Sequence, residues 1–181
     1  MSILKRAIGV LLGVVLLLVG VGFVLPGQVH VERSAVINAP PEQVFAQISD
    51  FNSWETWSPW AKMDADASYE LSGSGVGQRM VWSSDDPRTG SGSQEVTELD
   101  APRHLGTHLE FDGQGIAEAE FELEPVGSAT RVTWSLDTDV REGVPLLMQP
   151  FSSYLGLAMD GLIGQDYETG LANLKAVVEA A

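Results

Sequence analysis

Between residues 116 and 125, Ala117, Ala119, Phe121 and Leu123 alternate with Glu118, Glu120, Glu122 and Glu124. Alternation at period two marks a half-buried strand, one face toward a core and the other toward water. Strand patterns also occupy residues 29–37, 68–72, 77–83, 93–99, 103–111 and 129–139, so a sheet of about seven strands is predicted. Turn residues at 85–90, 100–102 and 112–115 are short enough to make the last six strands antiparallel. The inward sets are then Met80 and Trp82; Leu105, Leu109 and Phe111; and Val132, Trp134 and Leu136.

The period changes over residues 151–178. Leu155, Met159, Leu162, Ile163, Tyr167, Leu171, Leu174 and Val178 recur at steps of three and four, which predicts one long amphipathic helix. Asp160, Gln165, Glu168, Asn173 and Glu179 take its other face. Two shorter helices are expected at 41–49 and within 50–60, where Trp54, Trp57 and Trp60 cannot all stay in water without cost. A sheet and a helix with one apolar face each are stable when packed together, so the class is α+β: strand, two helices, six strands, long helix. Gly156, Gly161, Gly164 and Gly170 interrupt the long helix, at about 1 kcal/mol each relative to Ala. They fit either a cavity or hinge, or a close approach of helix to sheet. Small Ala117 and Ala119 on an inward strand face fit a cavity.

Residues 7–25 carry no charge and, at about 1.5 Å per residue, are long enough to cross a hydrocarbon core. Val24-Leu25-Pro26 is a poor cleavage site, so an uncleaved anchor is expected over a signal peptide. Lys5 and Arg6 before the span place the N-terminus in the cytoplasm and the domain on the extracytoplasmic face. The division is therefore 1–28, anchor and short linker, and 29–181, folded domain.

Two stretches carry a resemblance. One is Val31-Glu-Arg-Ser-Ala-Val-Ile-Asn-Ala-Pro-Pro-Glu-Gln-Val-Phe45, continued by Asp50-Phe51 and Trp57-Ser-Pro-Trp60; the other is Asp166-Tyr-Glu-Thr-Gly-Leu-Ala-Asn-Leu-Lys175. With the element order, they resemble the SRPBCC superfamily of START-like and polyketide cyclase/dehydrase-like proteins, in particular its short membrane-anchored bacterial members. The resemblance implies a helix-grip fold, an antiparallel sheet wrapped around the C-terminal helix with a cavity between them.

Charge and chemistry narrow the function. The net charge of −15 repels nucleic acid, and no nucleic-acid partner is expected. The chain has no cysteine, which excludes thiolate chemistry, disulfides and cysteine metal sites. His104 and His108 stand about 13 Å apart along a strand and on its outward face, so one ion cannot take both. Asp64 to Ser68 lacks the glycine and final glutamate of a calcium loop, and Gly73 to Gly77 precedes a strand where a phosphate cradle needs a helix. No metal, cofactor or catalytic set is assigned, and the glutamate ladder is read as a solvated face. The candidate cavity residues are Trp57, Trp60, Met80, Trp82, Phe111, Phe121, Trp134, Phe151, Tyr154, Met159 and Ile163, with Arg79, Glu98 and Tyr167 as polar contacts. The apolar stretch 143–151 is read either as a membrane-facing portal or as a docked helix start.

The expected function is membrane-tethered binding or transfer of a hydrophobic small molecule, whether lipid, quinone or polyketide-like. The alternatives are a cyclase or dehydratase using the same cavity, and an interaction module with a filled core. No protein partner is named by the sequence.

Overall fold

The computed structural model describes residues 2–64, 66–86, 89–113 and 115–181. Ala65 of the acidic loop, Pro87 and Arg88 of the 85–90 turn, and Gln114 of the 112–115 turn lie outside the described residues.

The element order is α1 (Ser2–Val24), β1 (Gln28–Ile37), α2 (Pro41–Ile48), α3 (Phe51–Trp57), a short 3-10 turn (Trp60–Lys62), β2 (Ser68–Ser72), β3 (Arg79–Ser83), β4 (Gly92–Asp100), β5 (His104–Phe111), β6 (Gly115–Val126), β7 (Ala129–Asp139) and α4 (Gln149–Glu179). The seven strands form one antiparallel sheet in the order β1-β7-β6-β5-β4-β3-β2. Alternation along β6 has the predicted sense, with Ala117, Ala119, Phe121 and Leu123 buried and the glutamates between them exposed. The core joins this face to α2, α3 and the second half of α4, through Val44, Ile48, Trp57, Tyr167, Leu171 and Leu174.

The first half of α4 departs from the periodicity. Leu155 and Leu162 are 71% and 67% exposed, while Ser153, Gly156 and Gly164 are buried. Here the helix lies so close to the sheet that side chains longer than Ser do not fit beneath it. A Cβ on Gly156 would come within 3.1 Å of Val29 Cγ2 and 3.3 Å of Val140 Cγ2. At Gly164 the Arg33 guanidinium fills the space of a side chain. Arg33 donates to Asp160 Oδ1 and Glu168 Oε1, both at 2.9 Å, one helical turn to either side of that glycine. The Arg33 contact holds the Asp160 carboxyl below its ordinary value.

Gly170 serves the same purpose in the core, where a Cβ would stand 2.8 Å from Trp134 Cζ3 and 3.1 Å from Pro59 Cδ. Three of the four glycines are therefore sites of close approach, and only Gly161 faces open space. Because Trp134 is locked by ring stacking, Gly170→Ala is expected to destabilise the domain by about 1–3 kcal/mol. A urea titration followed by tryptophan fluorescence measures this, and a gain in stability from better helix propensity is the contrary result.

Within α1, residues Ile3–Val24 form a helix with mean hydropathy 2.9 and 6% burial, long and apolar enough to cross a membrane. Its last two turns rest on the start of α4. Gly22 meets Pro150, and Tyr154 Oη donates to the Leu18 carbonyl at 2.8 Å. Arg141, after β7, donates to the carbonyls of Gly22, Phe23 and Leu25 and, through Nε, to Ser153 Oγ at 2.8 Å. Those carbonyls have no partner within the helix end, so the guanidinium caps α1 and fixes it to the domain. Arg141→Ala is expected to free this joint. Hydrogen bonds from a charged group contribute about 1.5–3 kcal/mol, so limited proteolysis near residues 25–28 should accelerate by about tenfold or more. An unchanged cleavage rate would show that the helix packing alone holds the joint.

Candidate functional site

A cavity of about 580 Å³ lies between the sheet, α3 and the middle of α4. Its sheet wall is built from inward positions of successive strands: Leu71 on β2, Met80 and Trp82 on β3, Gln94 on β4, Leu109 and Phe111 on β5, Ala119 on β6, and Trp134 and Leu136 on β7. Ile163, Asp166 and Tyr167 of α4 close one side, and Trp54, Ser58 and Trp60 of α3 and the turn after it close another. Ala119 leaves space that a larger inward residue would occupy, so the hollow is in part a consequence of that small side chain.

Local contacts hold the α3 wall in place. Asp50 caps α3 by accepting from Asn52 N at 3.0 Å. Buried Gln78, just before β3, donates to Asp50 Oδ1 at 2.8 Å and accepts from Phe51 N at 3.1 Å. The Gln78 hydrogen bond, with those from Asn52, keeps the Asp50 carboxyl below its ordinary value. Trp54 and Trp57 donate their ring N–H groups to the carbonyls of Ile48 and Gln47. Asn173 on α4 donates to the Trp57 carbonyl at 3.1 Å, which ties the two helical walls together.

The wall also carries polar side chains, among them Asn52, Glu55, Asp64, Gln94 and Asp166. Burial raises the Asp166 carboxyl above its ordinary value, with the Trp60 ring N–H acting in the opposite direction. Burial also raises the phenols of Tyr69 and Tyr167. Gln94 is buried, and its amide donates to Thr107 Oγ1 at 3.0 Å.

Of the sequence candidates, Trp60, Met80, Trp82, Phe111, Trp134 and Ile163 line this cavity, as does Tyr167. Trp57 and Phe121 sit behind the wall in the core, packed edge to face at 6.1 Å. Phe151, Tyr154 and Met159 lie off the cavity, because α4 reaches it only from Ile163 onward. Phe151 is 56% exposed and Tyr154 is turned to α1. Residues 143–151 do not line this cavity; Pro150 meets Gly22 of α1, while Leu146, Leu147 and Met148 are exposed. Arg79 and Glu98 point outward: Arg79 approaches Glu95 and Glu110, and Glu98 approaches His104. Asp166 and Gln94 were missed. The available signal for Gln94 was its shared inward parity with Val96, a polar side chain where the pattern calls for an apolar one.

The outer face of the sheet pairs each histidine with an acid: His30 with Asp137 at 2.9 Å, His104 with Glu122 at 2.7 Å and His108 with Glu118 at 2.6 Å. The hydrogen bond to Asp137 raises the His30 imidazole above its ordinary value. Glu120 joins His104 and Glu122 in a group whose possible ligand atoms lie within 4.8 Å of one another. This grouping crosses two strands, which spacing along one strand could not show.

The family model described as polyketide cyclase / dehydrase and lipid transport matches residues 28–179. A solved structure from Thermus thermophilus is 21% identical with a TM-score of 0.60, covering 83% of this chain and 97% of that one. One from Arthrobacter aurescens is 21% identical with a TM-score of 0.58, covering 82% and 87%. One from Chromobacterium violaceum is 19% identical with a TM-score of 0.54, covering 83% and 96%. At these identities the likeness is one of fold. No curated protein matches the chain.

Proposed function

Because this chain belongs to the polyketide cyclase / dehydrase and lipid transport family, we propose that it is a membrane-tethered carrier that holds a hydrophobic small molecule, lipid, quinone or polyketide-like, between sheet and C-terminal helix. The cavity carries this reading. A hollow of about 580 Å³ with a largely aromatic and aliphatic wall is the size and character of a small-molecule site. Burying apolar ligand surface there contributes about 25 cal/mol per Å².

The tether is α1, whose length and hydropathy suit a bilayer. Leu146, Leu147, Met148, Phe151, Leu155 and Leu157 are all exposed beside it, and no residue from 144 to 159 is charged. Together they form an apolar surface continuous with α1, which supports placing the domain against lipid despite its acidity. Lys5 and Arg6 ahead of the span support an extracytoplasmic domain.

Native mass spectrometry of the full chain released from gentle detergent tests the carrier reading. An adduct of lipid or quinone mass retained by the protein supports it, and a clean apo mass under conditions that preserve the fold counts against it. A second reading, acid–base catalysis on a bound chain, draws on Asp166 alone, a carboxyl raised by burial on the cavity wall.

A further inference from the structure

The cavity wall carries charge of one sign. Its ionisable acids are Glu55, Asp64 and Asp166, and among the described lining residues there is no Lys, Arg or His. Glu55 is exposed at the rim, and Asp64 accepts from Ser84 Oγ. Asp166 differs from both. It is half-buried and stands between Ile163 and Tyr167 on the wall, and among described residues only the Trp60 ring N–H favours its charged form. A carboxylate offers about four lone-pair sites, so Asp166 has acceptor capacity to spare on the cavity wall. A ligand donor or cation would satisfy it. A ligand carboxylate or phosphate in the same space would meet like charges with no counter-ion among the described lining residues, an arrangement that disfavours the charged form of both.

We propose that the cavity selects amphiphiles whose polar end is a hydrogen-bond donor without negative charge, a protonated amine above all and a hydroxyl next, docked on Asp166, and that it discriminates against fatty acids and anionic lipids. This rests on the carrier reading, since it takes the cavity to be where the ligand sits.

The test uses the full chain in phosphatidylcholine nanodiscs at alkaline pH, titrated with nitroxide-labelled dodecylamine, dodecanol and dodecanoate. All five tryptophans lie on the cavity wall or in the core directly behind it, so saturable quenching of their fluorescence reads occupancy. The Ala119→Phe chain, with the hollow narrowed at its sheet wall, shows how much of the quenching depends on that hollow. The amine is expected to bind about tenfold or more tighter than the carboxylate, with the alcohol between them. Asp166→Asn is expected to weaken the amine about tenfold or more, to the level of the alcohol, and to weaken the alcohol less. Dodecanoate binding as tightly as the amine would overturn the charge selection and leave the carrier reading standing. An amine preference that survives Asp166→Asn would overturn the assignment to Asp166. No saturable quenching by any of the three would overturn the carrier reading and the selection with it.

Discussion

Trp134→Ala is expected to lower the unfolding free energy by about 3–5 kcal/mol, the range for removing a buried Trp or Phe side chain. Trp134 is 2% exposed and stands at the centre of the aromatic cluster. Its ring stacks on Tyr167 at 3.8 Å and on Phe121 at 4.7 Å, and meets the edges of Trp57 and Trp60 at 5.6 Å each. Removing it takes away the ring stacked on both Tyr167 and Phe121 and extends the existing hollow into the core. The ring N–H contributes little to this figure, because Trp134 Nε1 has no acceptor among the described residues. Trp134→Phe keeps most of the stacking and deletes an unsatisfied donor, so it should cost well under half as much. Urea titrations of the three chains check both statements. An equal loss in the two variants would mean that the indole N–H has an acceptor after all.

The second large effect concerns the hollow directly. Ala117 and Ala119 lie two residues apart on β6, on the same face, 4% and 3% exposed. Ala117 belongs to the packed core cluster, whereas Ala119 lines the cavity. Ala119→Phe should therefore grow into empty space, leave stability nearly unchanged and reduce ligand retention by about tenfold or more. Ala117→Phe meets packed neighbours and should destabilise the domain by about 1–3 kcal/mol. Native mass spectrometry reads retention, and thermal unfolding reads stability. Loss of stability in both, with no difference in retention, would count against an open cavity at Ala119.

These paired variants show where sequence reading stops. The alternation on β6 placed both alanines inward, but it could not say which of them faces a void. A cavity is defined by missing atoms, and the missing volume depends on the height of α4 above the sheet. Trp60, Met80, Trp82, Phe111, Trp134 and Ile163 were identifiable because inward parity and bulk coincide at those positions. Asp166 was not, since an acid on a helix flank reads as solvated until the fold places it on the cavity wall. Phe151, Tyr154 and Met159 were misplaced for a related reason: one helical pattern was extended over a helix that meets two environments.

The order of elements, the faces of β3, β5, β6 and β7, the antiparallel sheet and the apolar N-terminal helix were all determined by the sequence alone, because these follow from periodicity and turn chemistry along a single dimension. Tertiary structure alone decided the rest. It brought α4 close enough to β1 that Gly156 and Gly164 became buried contacts and the leucines of that half turned outward. It set Arg141 on the end of α1, and it left room over Ala119 where Ala117 has none. The physical reason is that close approach and empty volume are properties of the gap between two surfaces, and neither surface encodes that gap by itself.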